Sequence, residues 1–166
     1  MKHLKKILSG GQTGVDQGAL KAAVDANFPY GGWCPPDESD ETGAKTMFKL
    51  QPTPESSGDL APEVPRSQRT EWNVRDADAT LVLSSKELIK DAGTQFTIQA
   101  ANKFNKPLLP LAIEDPEKDR KLKEWLLKHD IEVLNIAGPP RSVAPRLEKM
   151  CYEWLVNFFS EQQSGS

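Results

Sequence analysis

The chain has little cysteine. Cys34 and Cys151 are the two cysteines among 166 residues, and they stand far apart with no CxxC pair. A disulfide framework is therefore not expected, and a reducing, cytoplasmic setting fits better. The sequence also lacks a run of about 18 apolar residues, so we expect no membrane span. Its first residues are too poor in apolar side chains for a secretory signal.

An excess of positive charge is missing as well. Lysine and arginine number 21 against 24 acidic residues, which gives a net charge of −3. Proteins that bind nucleic acid usually carry a strong basic patch or stripe, so we expect no nucleic-acid partner. One local group of arginines is present, and it suits a small anionic ligand better than a long polyanion; it consists of Arg66, Arg69 and Arg75.

Strand-like and helix-like patterns alternate about five times along the chain. The clearest buried strand is ATLVLS at 79–84. This alternation predicts an α/β fold with a mostly parallel sheet of about five or more strands and helices on both faces. The length fits a single domain, which we place at 1–160, with a flexible tail at 161–166. A long loop rich in Pro, Ser, Asp, Glu and Gly, at 34–66, is expected to be functional or mobile.

The segment 9–16 (SGGQTGVD) joins the first strand to the first helix. Its glycines let the backbone approach a ligand closely, and the start of the helix attracts an anion. It is neither a Walker A loop nor a GxGxxG turn. Because ligands of parallel sheets bind at the carboxyl ends of the strands, we favour a phosphate site here over an unliganded connection. The predicted site residues are Gly10, Gly11, Gln12, Thr13 and Gly14.

Three further groups of residues are candidate ligand contacts. Gly93 and Thr94 open a second helix after a buried strand, and they either add phosphate contacts at the same sheet edge or only cap that helix. Asp16 either caps the first helix or contacts hydroxyl or amine groups. The remaining candidates could supply charge, stacking or polar contacts, although packing into the core is favoured for Trp72; they are Trp33, Arg69, Trp72 and Asn73.

Four blocks in order resemble one family: ILSGGQTGVDQGAL, YGGWCP, RTEWNVRDADATLVLS, and the later GT and KP pairs. Together they resemble the molybdenum cofactor carrier proteins of the SLOG superfamily. This family is related to the circularly permuted members of that superfamily. The resemblance runs by motif over residues 7–107 and by element order to 159. It implies a Rossmann-like fold that binds a phosphorylated pterin or nucleotide, plausibly molybdenum cofactor (molybdopterin). It also implies molybdoenzymes as partners and a homo-oligomer.

The same superfamily contains phosphoribohydrolases with a PGGxGTxxE pattern and a catalytic glutamate. Here 91–97 reads DAGTQFT, so Thr97 stands where that glutamate would be. A threonine cannot act as the carboxylate, which favours a binding protein over an enzyme, and we assign no catalytic or metal-binding residue. Glu71 or Asp16 could supply a carboxylate from elsewhere, so a nucleoside-monophosphate hydrolase stays an alternative. A second alternative is a nucleotide-sensing module in which the loop at 34–66 responds to the ligand.

Overall fold

The structure, a computed structural model, describes residues 4–89 and 92–164. Its strands in chain order are β1 (Lys6–Leu8), β2 (Tyr30–Gly31), β3 (Trp33–Cys34), β4 (Gln51–Pro52), β5 (Ala79–Ser84), β6 (Leu108–Ala112) and β7 (Val133–Ala137). Five of them form one sheet in the order β2-β1-β7-β5-β6, and all of its pairings are parallel. The short strands β3 and β4 pair with each other outside it.

The helices cover both faces of this sheet. They are α1 (Val15–Asp25), α2 (Ser67–Asp76), α3 (Ala92–Lys103), α4 (Lys118–Lys128) and α5 (Leu147–Ser164). On one face α1, α4 and α5 share the main core with inward side chains of the sheet such as Leu81, Leu83 and Ile136. On the other face α2 and α3 meet around Val74 and Ala100. Because helices cover both of its faces, β5 is buried along its whole length. The expected α/β architecture is confirmed.

Two boundaries differ from the sequence prediction. The pattern at 29–33 suggests one strand, but the chain changes direction at Gly32, whose φ is +133° and whose Cβ would collide with the carbonyl oxygen of Ser9. The apolar spacing at 144–160 predicts the last helix, but α5 begins at Leu147, beyond Pro145, because a proline disfavours helical backbone in the residue before it. The helix also continues through 161–163. In the described ranges, every helix is too short or too polar to cross a bilayer.

Candidate functional site

A cavity of about 300 Å³ lies at the sheet edge where β1, β5 and β7 end. Parallel α/β sheets bind ligands outside the carboxyl ends of their strands, so the cavity is where a ligand is expected. Its volume is near the lower limit for ligand pockets, which suits one ring system with one phosphate. Five chain segments line it: Gln12 and Asp16; Arg69 and Thr70; Val82; Phe96 and Thr97; and Ala137, Gly138, Pro139, Pro140 and Val143.

The glycines of the β1–α1 turn allow it to pack closely against two walls of the cavity. Gly14 has a φ of 86°, and a Cβ there would collide with the carbonyl oxygen of Pro139 in the β7–α5 loop. A Cβ at Gly10 would come within 2.7 Å of Cδ of Arg69. Side chains at these positions would therefore push the turn away from both neighbours.

The amide hydrogens of this turn donate to acceptors of the chain itself. Gln12 N donates to Oδ2 of Asp16 at 3.2 Å, and Thr13 N donates to Oε1 of Gln12 at 3.0 Å. Gly14 N donates to Oε1 of Glu148 at 3.0 Å. Two carboxylates thus stand at the N-terminus of α1, where the positive end of the helix dipole favours them. The phosphate role of the turn stays a prediction. A ligand that reached these amides would have to displace the carboxylates of Asp16 and Glu148 and the side-chain oxygen of Gln12.

The Thr13 hydroxyl takes part in a second network. It donates to Oε2 of Glu41 at 2.5 Å and accepts a hydrogen bond from the Arg141 amide at 2.9 Å. Glu41 also accepts from the Ser142 hydroxyl at 2.6 Å and from the Ser142 amide at 3.0 Å. The hydrogen bonds from Ser142 and Thr13 hold the pKa of Glu41 below its usual value. Through Glu41, the long loop at 34–66 joins the turn to the β7–α5 loop.

Two buried charged side chains, Asp16 and Arg69, form part of the cavity wall. Burial raises the pKa of Asp16 to about 6, although the positive charge of Arg69 and hydrogen bonds from Gln12, Ser9 and Gly10 oppose the rise. Arg69 donates through Nη1 to the carbonyl of Gly10 at 2.9 Å, and burial lowers its pKa. A carboxyl group that titrates near neutral pH in a cavity wall can exchange a proton with a ligand.

A buried hydroxyl lies at the end of β5. Ser84, the last residue of β5, is fully buried, and within the described ranges its Oγ makes no hydrogen bond. Side chains alternate along a strand, so Ser84 shares a sheet face with Val82, which lines the cavity. Buried hydroxyls are usually hydrogen-bonded, but Ser84 is not among the residues that line the cavity.

Helix α3 contributes Phe96 and Thr97 to the cavity. Thr97 is 5 % exposed, so the residue at the position of the hydrolase glutamate does lie in the wall. Gly93 and Thr94 fall in the first turn of α3, but their side chains lie outside the described part of the chain. Their phosphate contacts therefore stay a prediction.

Glu71, one of the two alternative carboxylates, has a structural role. It is 2 % exposed, its Oε2 accepts a hydrogen bond from Leu60 N at 2.8 Å, and its Oε1 pairs with Lys103 Nζ at 3.3 Å. It does not line the cavity. Of the two alternatives, Asp16 alone lies in the wall.

Trp33, Trp72 and Asn73 meet one another away from the cavity. Asn73 accepts from Trp33 N at 2.9 Å and donates to the Trp33 carbonyl at 3.1 Å, which fixes β3 to α2. The two indole rings meet edge to face with centroids 4.8 Å apart, and the Arg75 guanidinium lies over Trp72. Arg66 pairs with Asp37 in the long loop, so the three arginines diverge. A ligand role for these tryptophans and for Asn73 stays a prediction.

Sequence reasoning missed the wall formed by the β7–α5 loop. Gly138 lies so close to β5 that a Cβ would collide with the Leu83 carbonyl oxygen. A signal was present in the sequence GPP at 138–140. It comes one residue after the strand-like pattern at 131–136 and therefore leaves the sheet at the ligand-binding edge. The cavity wall residues missed in the other segments are Thr70, Val82 and Phe96.

The chain is similar to known proteins over nearly its whole length. Residues 7–159 match the family model described as the Circularly permutated YpsA SLOG family. A crystal structure from Syntrophus aciditrophicus SB, of a protein named "Putative molybdenum carrier protein", is 34 % identical in sequence with a TM-score of 0.80, and the match covers 94 % of each chain. No curated protein matches the chain.

Proposed function

The chain belongs to the circularly permutated YpsA SLOG family, as the motifs indicate, and from that premise we propose that it binds a small phosphorylated ligand in the cavity at the sheet edge. The ligand is a pterin or a nucleotide. Molybdenum cofactor comes first among the candidates, because the 34 % identical protein is named a molybdenum carrier. Delivery to molybdoenzymes, a homo-oligomeric state and a cytoplasmic location are parts of the same proposal.

The cavity itself carries the proposal. Its wall combines an apolar surface at Val82 and Phe96 with the buried charges of Asp16 and Arg69, a combination typical of sites for small polar ligands. The Ser84 hydroxyl, which makes no hydrogen bond within the described ranges, lies on the same sheet face as Val82. A ring would pack on Val82 and Phe96, and the Arg69 guanidinium would favour the negative charge of the ligand.

The cavity fits the organic part of a molybdenum cofactor better than its metal. In the described ranges, no group of three or more His, Cys, Asp or Glu side chains could hold a metal ion. The arginine and the cavity volume instead suit a pterin with a phosphate. We therefore propose that this cargo would be held through its ring and its phosphate.

The proposal is tested by calorimetric titration with nucleoside monophosphates and a phosphorylated pterin. Val143 lines the cavity, while Val64 does not, and each is 49 % exposed, so Val143→Asp and Val64→Asp form a matched pair. A carboxylate in the cavity wall repels a phosphate. We expect Val143→Asp to weaken binding at least about tenfold and Val64→Asp to leave it unchanged. Equal affinities in the two variants would exclude this cavity.

A nucleotide hydrolase is the second candidate, and Asp16 favours it. Its carboxyl group lines the cavity, and its pKa of about 6 lies in the range of a general acid or base. Incubation with a panel of nucleoside monophosphates, followed by chromatography, would detect released base or phosphate. Hydrolysis that is lost in Asp16→Asn would establish this function, whereas absence of turnover by concentrated wild-type protein would remove it.

A further inference from the structure

Residues 37–50, which we call the strap, lie between β3 and β4 and run along the β1–α1 turn. Ser39 and Lys45 form an antiparallel bridge within the strap. Asp40 accepts a hydrogen bond from Nε2 of Gln17 in α1 at 2.9 Å. Leu50 lies against the turn, since a Cβ at Gly11 would come within 2.9 Å of its Cδ1. The strap therefore covers the outer side of the turn.

The strap is joined to the cavity edge through Glu41. Its carboxylate accepts hydrogen bonds from the Thr13 hydroxyl and from the hydroxyl and amide of Ser142. Its own amide donates to Oε1 of Gln12 at 2.8 Å. Gln12 lines the cavity, as do Pro140 and Val143 on either side of Ser142. The three donors held by Glu41 thus belong to Thr13 and Ser142, which are next in the chain to residues that line the cavity.

We propose that these three donors are the phosphate subsite of the cavity, and that Glu41 occupies it until the phosphate of a ligand displaces the carboxylate and releases the strap. This inference rests on the proposed function, since it places the phosphate of that ligand. The β1–α1 turn was expected to bind an anion, and its Thr13 hydroxyl does bind one, the carboxylate of Glu41. The proposed subsite accounts for this contact.

The chemistry of the donors favours this exchange. All three are neutral hydroxyl or amide groups, so each can donate a hydrogen bond to an oxygen of a carboxylate or of a phosphate in the same geometry. A phosphate carries more negative charge and three acceptor oxygens, and charge-assisted hydrogen bonds strengthen accordingly. The Arg141 guanidinium, paired with Glu148 at 2.8 Å, adds positive charge next to Ser142. Glu41 is exposed, so a ligand can approach it from solvent.

Competition by Glu41 has a measurable consequence. When the competent form of a site is only partly populated, the apparent affinity falls by that fraction. Removing the Glu41 side chain should therefore tighten the binding of phosphate, whereas removing most residues that contact a ligand weakens it. This opposite sign separates an internal competitor from a loop with a purely structural role.

The first test compares Glu41→Ala with Glu38→Ala, which removes another acidic side chain from the same strap. The probes are inorganic phosphate and guanosine monophosphate, because free phosphate and a phosphate monoester share the relevant chemistry. We expect Glu41→Ala to bind at least one probe about tenfold more tightly than wild type, and Glu38→Ala to match wild type. If neither probe binds more tightly to Glu41→Ala, the inference is wrong.

The second test separates strap release from the subsite. Ser142→Ala also frees Glu41 but removes a phosphate donor. Trypsin cleavage after the exposed residues Lys45 and Lys49 should become faster in both Glu41→Ala and Ser142→Ala, while the gain in phosphate affinity should occur in Glu41→Ala alone. An equal gain in Ser142→Ala would contradict the subsite. Failure here leaves the Val143→Asp result unaffected, so the inference and the proposed function can fail separately.

Discussion

The substitution Asp16→Asn should make the protein more stable at neutral pH, and the gain should vanish in acid. The folded protein raises the pKa of Asp16 from 3.8 to about 6, so the folded state holds this proton more tightly than the unfolded state does. The stability that comes from the protonated form is fully present below the unfolded pKa and is lost as pH rises through the folded pKa. Ionisation of Asp16 therefore opposes folding increasingly from about pH 4 to pH 6, and the full cost remains at higher pH.

The size of the effect follows from the same values. A pKa difference of about 2, at about 1.4 kcal/mol for each pKa unit, corresponds to about 3 kcal/mol at pH 7. This figure already includes the attraction to Arg69. Asparagine keeps one oxygen for the Gln12 amide, but its NH₂ group cannot accept a hydrogen bond as the second carboxylate oxygen can. We therefore expect a net gain of about 2 kcal/mol.

The assay is urea unfolding of wild type and variant from pH 4 to pH 7. In the difference between their unfolding free energies, the pH dependence contributed by the other carboxyl groups cancels. Asp76 is one such group: burial opposes the change, but its hydrogen bonds and charged neighbours lower its pKa. The control is Asp59→Asn, measured in the same series, which removes an exposed carboxylate that does not line the cavity. A variant that is less stable than wild type at pH 7, or a difference independent of pH, would refute the reasoning about Asp16.

Two further predictions concern packing and thiol burial. Gly14 and Gly43 share a φ of 86°, but a Cβ would collide with Pro139 at Gly14 and would meet nothing within 4 Å at Gly43. Thermal unfolding should show that the unfolding free energy falls by about 4 kcal/mol in Gly14→Ala and by about 1 kcal/mol in Gly43→Ala. Equal losses in the two variants would contradict the close packing of the turn. Burial raises the pKa of Cys34 and raises that of Cys151 to about 12. Neither thiol should therefore react with a disulfide reagent at pH 8 until the protein unfolds. Rapid labelling of either thiol in the folded protein would contradict this prediction.

The sequence predicts the type of fold because the relevant signals are local. The six residues of β5 match their predicted bounds, since a strand covered by helices on both faces is continuously apolar or small. The order of the strands in the sheet could not be predicted in this way. β7 enters the sheet between β1 and β5, and no local pattern tells which neighbours a late strand will pair with.

The site was only partly predictable for a similar reason. Gln12, Asp16 and Arg69 belong to the predicted set, and all three line the cavity. The partners of the turn could not be foreseen, because Glu41 lies 28 residues from Thr13 in sequence and Glu148 lies 134 residues from Gly14. Such contacts come from tertiary packing, which periodicity and turn chemistry do not encode.

The central claim, a phosphorylated small molecule held in the cavity, is tested most directly by mass spectrometry of what co-purifies with the native protein. Wild type, Val143→Asp and Val64→Asp should be purified side by side under reducing conditions. The account predicts that a phosphorus-containing pterin or nucleotide accompanies wild type and Val64→Asp, and that Val143→Asp loses it. The same molecule recovered in equal amount from Val143→Asp, or no such molecule from wild type, would contradict the account.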